Sequence, residues 1–232
     1  MTWNCRLALH KKADALLALK PDVAVIQECA KPERWQQALG ASAALWHGEN
    51  PAKGIAVLSF GEWMLEPVEL FATDCRLFIP ARVRGPLEFN LLGVWTKEAA
   101  NSRRNSYIGQ MHIALDFYRD FLAQQASVVA GDWNSNAIWD AARPMNNHTH
   151  AVVRLVELGM VSAYHTYHRC AHGCEVHMTH RHNLGNRFHL DYCFVPRAWA
   201  QHIGGVQVGG SKWYKLSDHA PLTVDISLGA LA

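Results

Sequence analysis

Apolar positions divide the chain into many short segments of helical or alternating period. In residues 7–19, Leu7, Leu9, Ala13, Leu16, Leu17 and Leu19 approximate one helical stripe, closed by Pro21. The β-branched run 23–26 then predicts a buried strand. Residues 35–39 predict a short helix, and residues 55–60 a further strand. From 68 to 96 the pattern alternates and is broken by Pro80 and by Gly85-Pro86, which predicts two or three antiparallel strands. Ile108, Met111, Leu115, Tyr118, Phe121 and Leu122 recur at helical spacing, so residues 106–122 are expected to form the longest helix. Residues 127–130 form a strand that runs into a Gly131-Asp132 turn, and residues 149–158 a helix stopped by Gly159. Residues 189–195 and 220–228 read as closing strands. Intermixed short strands and helices, without repeat or linker, point to one α/β domain spanning residues 1–232 with largely antiparallel sheets.

Composition narrows the class. With 232 residues, half of them hydrophobic and 18% charged, the chain can bury a core and is not disordered. A net charge of +2 argues against gripping polyanions by bulk charge. The N-terminal residues lack the pattern of a secretory signal, and no apolar run approaches the ~18–20 residues of a membrane span. Cys5, Cys29, Cys75 and Cys193 are scattered singly, which suits buried free thiols better than a disulfide framework. A cytoplasmic, monomeric protein without a membrane partner is the expectation.

The chemistry lies at the margins of the strands. Asn4 follows Thr2-Trp3, Glu28 follows residues 23–27, and Asp132 and Asn134 follow residues 128–131. Asp191 sits inside the apolar run 188–195, and Asp218-His219 precedes residues 220–224. A carboxylate in such a run is costly to bury unless it is paired or binds a metal. Any one of these is explained by a turn or a cap. Five islands of the same character favour a shared site of carboxylates, one amide type and one imidazole, which suits a hard divalent cation such as Mg²⁺ and a phosphate.

The islands resemble the endonuclease/exonuclease/phosphatase superfamily, which includes deoxyribonuclease I, exonuclease III and the inositol polyphosphate 5-phosphatases. Trp3-Asn4 matches its opening strand, Pro21-Asp22 with Gln27-Glu28 its "PD-apolar-QE" motif, and Gly131-Asp132-Trp133-Asn134 its "GD-x-N" motif. Leu190-Asp191-Tyr192 matches "IDY", and Ser217-Asp218-His219-Ala220-Pro221 matches "SDH-x-P". The five occur in the family's order over residues 3–222. The resemblance implies a four-layer α-β-β-α sandwich of two mainly antiparallel mixed sheets flanked by helices. It also implies metal-dependent hydrolysis of phosphate esters, with Mg²⁺, or Mn²⁺, as the cofactor and DNA or a nucleotide as a possible substrate. A phosphatase or small-molecule phosphodiesterase of the same superfamily is the alternative, and a non-catalytic interaction domain a third. By the same carry-over, Glu28, Asn4 and Asp218 form the metal region, with Asn4 also near the phosphate. Asp132 orients or deprotonates the attacking water and Asn134 assists it. His219 donates to a phosphate oxygen and Asp191 holds its imidazole cationic.

Some features depart from the family or stay open. Trp95 stands where the family often has His or Tyr, so either Trp95 packs against substrate or Tyr107 supplies the missing donor, unless Tyr107 only begins the helix. Cys5-Arg6 stands where abasic-site endonucleases often carry an acidic residue, and the first strand is expected to be short. Residues 165–189 hold seven of the 14 His together with Cys170 and Cys174. That segment reads as a loop meeting phosphate beside the site, with Thr179, His180, Arg181 and Arg187, as a zinc site, or as a solvated loop. Arg103-Arg104 reads as solvated charge or a phosphate-binding pair, and Trp133 and Trp139 as core or cleft residues.

Overall fold

The computed structural model describes residues 1–72, 75–99, 102, 105–227 and 229. Two six-stranded sheets dominate it. In chain order the first holds β1 (Thr2–Asn4), β2 (Val23–Cys29), β3 (Ala43–Asn50), β4 (Lys53–Ser59), β13 (Ile203–Val208) and β14 (Leu222–Ile226), in the spatial order β13-β14-β1-β2-β4-β3. The second holds β5 (Met64–Pro67), β6 (Phe78–Arg84), β7 (Phe89–Trp95), β8 (Ser127–Asp132), β9 (Met160–Ser162) and β12 (Asp191–Pro196), in the order β5-β6-β7-β8-β12-β9. Among the described residues, only β1–β2 and β7–β8 pair parallel. A small ribbon, β10 (His180–Arg181) with β11 (Arg187–Phe188), lies outside both sheets.

The layers follow from the two-residue period of the strands. Val25, Ile55 and Val57 of the first sheet meet Leu91, Val128 and Ala130 of the second in one core between the sheets. Their chain neighbours face outward. Ala24, Ile26, Ala56 and Leu58 pack on Leu9, Leu16 and Leu39 beside α1 (Ala13–Leu17) and α2 (Gln36–Leu39). Leu92, Val94, Val129 and Phe194 pack on Met111, Leu115, Phe121 and Leu155 from α3 (Ile108–Phe117), α4 (Arg119–Ala123) and α5 (His148–Glu157). Central strands are therefore apolar on both faces, and the result is the four-layer sandwich expected from the resemblance. No helix among the described residues is long and apolar enough to cross a membrane.

Several sequence expectations are corrected. The stripe over 7–19 is not one helix, because Arg6, Leu7 and Ala8 adopt positive φ. Cys5 and Leu7 donate N–H bonds to Gln27 O and Glu28 O, extending the β1–β2 ladder past β1, so a 3-10 turn at Leu9–Lys12 and then α1 start only afterwards. The long helix over 106–122 is two, broken at Tyr118 (φ −92°, ψ 8°). The buried Tyr118 hydroxyl donates to Leu70 O at 3.0 Å, which ties the break to the segment before β6. Strands β3, β5, β9 and β13 and helix α6 (Ala163–His168) were not expected. Arg103, Arg104 and the end of the strand expected at 220–228 lie outside the described residues.

One glycine holds the second sheet together. Gly131 has φ +153°, and a Cβ there would fall 1.9 Å from Val94 O in the neighbouring parallel strand. Gly131→Ala is expected to cost about 3 kcal/mol, the upper range for overpacking, read as a lower urea midpoint.

Candidate active site

Register delivers the acidic residues to one place. Asp132, the last residue of β8, pairs directly with Asp191, the first of β12, so both carboxylates share one side of the sheet. Both are fully buried. His219 enters from the loop before β14, and its Nδ1 lies 2.8 Å from Asp191 Oδ2 while its Nε2 is 3.9 Å from Asp132 Oδ2. Asn4, ending β1, donates through Nδ2 to Asp132 Oδ2 at 3.0 Å and more weakly to Glu28 Oε1 at 3.4 Å. Asn134 has positive φ, donates its N–H to Asp132 Oδ1 at 2.9 Å and its Nδ2 to Oδ2 at 3.1 Å. Asp132 therefore receives hydrogen bonds on both oxygens.

Glu28 reaches the site through a bulge. Gln27 pairs with Ile55 and Cys29 with Gly54, which leaves Glu28 as the extra residue with φ +57°. A bulge re-aims a side chain at the end of a ladder. Its Oε2 meets Lys53 Nζ at 3.0 Å. Asp218 is half-buried, accepts from Ser217 Oγ at 3.3 Å and pairs with Arg6 at 3.7 Å.

The electrostatics separate the roles. Burial raises the Asp132 carboxyl to about 7, with the His219 charge opposing that rise. Burial works against the His219 cation, but Asp191 and then Asp132 overcome it and raise the imidazole to about 9. His219 is thus charged at neutral pH, with Nδ1 spent on Asp191 and Nε2 too far from Asp132 for a direct hydrogen bond.

A groove of about 1320 Å³ opens beside this group, lined by Glu28, Lys53, Trp95, Lys97, Tyr107 and Asn134. Trp95 is 5% exposed, and the ammonium groups of Lys53 and Lys97 lie 5.6 and 6.0 Å from its ring centroid. Tyr107 is 40% exposed in the same groove. His180 forms an isolated bridge with His219, and their rings are 4.6 Å apart. Arg181 and Arg187 face each other across the small ribbon and are exposed.

Thr179 acts differently from what its sequence context indicated. Thr179 is fully buried and cannot meet substrate as expected. Its Oγ1 accepts the N–H groups of Leu190 and Asp191 at 2.9 and 3.1 Å, and its carbonyl accepts Ala220 N–H at 2.7 Å. It clamps the strand carrying Asp191 to the loop carrying His219. Trp133 is fully buried core, stacked on Phe194 at 5.1 Å, whereas Trp139 is exposed and tilts on Phe188. Lys53, Ser217 and Gln27 had no assigned role. Ser217 Oγ donates to Asn4 O at 2.7 Å, Trp3 Nε1 to His219 O at 2.9 Å, and Gln27 Nε2 across the sheets to Val94 O at 3.2 Å. Ser217 and Gln27 lie inside the quoted motifs, which was the available signal; Lys53 had none.

No protein-family model and no curated protein matches the sequence. Solved structures do match. The chain is similar to a 3′-5′ exonuclease from Neisseria meningitidis, with 19% identity and a TM-score of 0.71 over 97% of this chain and 98% of that one. It is similar to the D146N form of a Neisseria 3′ phosphatase bound to a product DNA hairpin, at 21% identity and a TM-score of 0.70 over the same shares. An AP endonuclease from Archaeoglobus fulgidus matches at 18% identity and a TM-score of 0.73, also over 97% and 98%. The chain shares its fold with these structures. In this fold the five sequence islands meet at one end of the sandwich.

The His219–Asp191 pair gives a direct test. Asp191→Asn removes the first influence that raises the imidazole and leaves burial, which lowers it. The His219 proton resonances are expected to titrate near 9 in the wild type and at a clearly lower pH in Asp191→Asn, where Asp132 alone of the two buried carboxylates still raises the imidazole.

Proposed function

We propose that the chain is a divalent-metal-dependent phosphoric ester hydrolase, a nuclease-like phosphodiesterase acting on nucleic acid or nucleotides. The observation that carries this reading is the buried Asp191–His219 pair held beside Asp132, with Asn4 and Asn134 on the Asp132 carboxylate. The fold shared with DNA-processing structures supports it.

The donor set fits a hard cation. Glu28 is the partly accessible carboxylate at the groove, and its Oε2 already faces a cation, the Lys53 ammonium. Asn4 and Asp218 complete the oxygen-bearing region around it. Asp132, Asp191 and His219 also place donor atoms within 4.8 Å of one another. A protonated imidazole offers no lone pair, however, so the charge on His219 directs a cation toward Glu28 instead. When bound there, Mg²⁺ or Mn²⁺ would polarise the phosphate and offset its negative charge.

The remaining chemistry belongs to the protein. Asp132, raised toward neutrality by burial, is suited to orient a water and take its proton. Asn4 and Asn134 fix the carboxylate so that it does not rotate away. His219 Nε2 donates to a phosphate oxygen and stabilises the charge that grows there in the transition state. Asp191 keeps that donor charged and aimed. Trp95 and Tyr107 border the groove, His180 lies against His219, and the three contact the substrate beyond the scissile phosphate. Stacking of a base on such a ring is worth about 1–3 kcal/mol.

The phosphomonoester reading has one observation in its favour. A structure of the same fold is described as a 3′ phosphatase with a product DNA hairpin. A labelled oligonucleotide, the same strand with a 3′-phosphate, a cyclic nucleotide and a soluble phosphomonoester separate the two readings when assayed with Mg²⁺ and Mn²⁺. Strand shortening or nicking that stops with chelator and returns with Mg²⁺ is the expected result. Release of phosphate alone selects the phosphatase, and no turnover of any substrate overturns both.

Glu28→Ala is expected to abolish metal-dependent turnover. Asp132→Asn should lower kcat by about 10²–10³ while metal affinity, measured by calorimetry, stays near that of the wild type. Wild-type turnover by Asp132→Asn would remove Asp132 from the mechanism.

A further inference from the structure

Behind the strand that carries Asp191 lies a second polar cluster that the hydrolytic chemistry does not use. Asp191 and Tyr192 point to opposite sides of β12. On the Tyr192 side sit His148 at the start of α5, His165 in α6, and His172 and Glu175 in the loop after α6. The rings of His148, His165 and His172 lie 5.0, 6.2 and 6.1 Å from that of Tyr192. His148, His165 and Glu175 are buried, and His172 is half-buried.

The donor atoms converge. His165 Nε2 is 2.9 Å from Glu175 Oε1, and His148 Nε2 is 3.3 Å from His172 Nδ1. One donor atom each from His165, His172 and Glu175 falls within a 4.8 Å set. Around a tetrahedral ion with bonds of about 2.0–2.1 Å, neighbouring donors stand roughly 3.3 Å apart, a separation that the His148–His172 contact matches and the His165–Glu175 contact falls slightly short of.

The supporting residues resemble those behind metal ligands. His165 turns its other nitrogen to Ser162 Oγ at 2.7 Å. Glu175 is anchored by Gly173 N–H on Oε1 and by Asn136 Nδ2 on Oε2, both at 3.1 Å. Such outer partners fix ring and carboxylate orientation.

We propose that His165, His172 and Glu175, with His148 at the edge of the set beside His172, bind one zinc-type divalent cation that pins the loop over residues 169–179 to the back of β12. Three imidazoles with one carboxylate suit zinc, cobalt or nickel and suit Mg²⁺ poorly. The loop needs such a tie, since it runs eleven residues between α6 and β10 without helix or strand. One adjustment is required. The rings of His165 and His172 stack at 3.5 Å, and one ion cannot lie in the planes of two parallel rings, so the half-buried His172 ring must turn toward the ion. Cys170 and Cys174 are not part of the set: Cys174 is exposed and Cys170 half-buried. The Cys-x₃-Cys spacing is therefore not what makes the site.

The test uses the whole chain, stripped with chelator and titrated with Co²⁺ and then with Zn²⁺. Wild type is expected to take up one equivalent of Co²⁺ with the strong visible absorption of a four-coordinate ion, in addition to any weakly absorbing ion held by the oxygen donors around Glu28. Zn²⁺ should displace it and raise the thermal midpoint by about 5 °C at saturation. His172→Gln, whose parent side chain is partly solvated, should keep the circular dichroism of the wild type and lose both the absorption and the midpoint shift. Glu28→Ala should keep both. No uptake by wild type, or equal uptake by His172→Gln, overturns the proposal. Loss of the absorption in Glu28→Ala with retention in His172→Gln overturns it as well, because the cation would then belong to the hydrolytic site.

Discussion

Two carboxylates buried side by side are the constraint around which this end of the sandwich is built. Asp132 and Asp191 are register partners on adjacent strands, both without solvent access. Unpaired, their mutual repulsion and lost hydration would cost more than a domain of this size can spare. The answer is one shared cation, His219, with two side-chain amides on Asp132. Each of those partners comes from a different strand end or loop, so the sandwich must align all of them at once. Neighbouring side chains serve that alignment. Trp3 holds the His219 carbonyl, Ser217 holds the Asn4 carbonyl, and Thr179 holds the backbone of Asp191 and Ala220.

The charge balance also accounts for the near-neutral composition. A protein that binds phosphate needs positive potential where the ester sits, not over its whole surface. Here that potential is concentrated in His219, in Lys53 and Lys97 around Trp95, and in whatever ion Glu28 attracts. A net charge of +2 and a focused anion site are therefore compatible.

Much of the site was legible because polar residues interrupt apolar strands at their ends, and such interruptions stand out in a single sequence. The double-sided burial of β2 and β7 was legible for the same reason. What could not be read depends on contacts between distant segments or on backbone torsions. Arg6, Leu7 and Ala8 adopt positive φ although none of these residue types favours it, so an apolar stripe there imitated a helix. β3 is half-buried along most of its length and β13 opens Ile-Gly-Gly, so neither has the alternation that marks a strand. The Glu28 bulge appears only in the pairing with β4. Lys53 has no motif, and its part depends on where the hairpin between β3 and β4 folds. The histidines of residues 165–189 were read as one group, yet the fold sends His180 to the hydrolytic site and His165 and His172 to the opposite side of β12.

The position of β1 has a consequence for how the molecule is made. This three-residue strand lies between β2 and β14, so the ends of the sheet's sequence close on each other at its centre. Asn4 and His219 lie in distant segments of the chain, and the Trp3 bond to the His219 carbonyl, 216 positions away in sequence, joins those segments. A nascent chain short of β14 holds Glu28, Asp132 and Asp191 but lacks the cation that lets two of them be buried together. The two carboxylates thus gain their shared cation only when the segment carrying His219 has been made, in the same step that completes the first sheet.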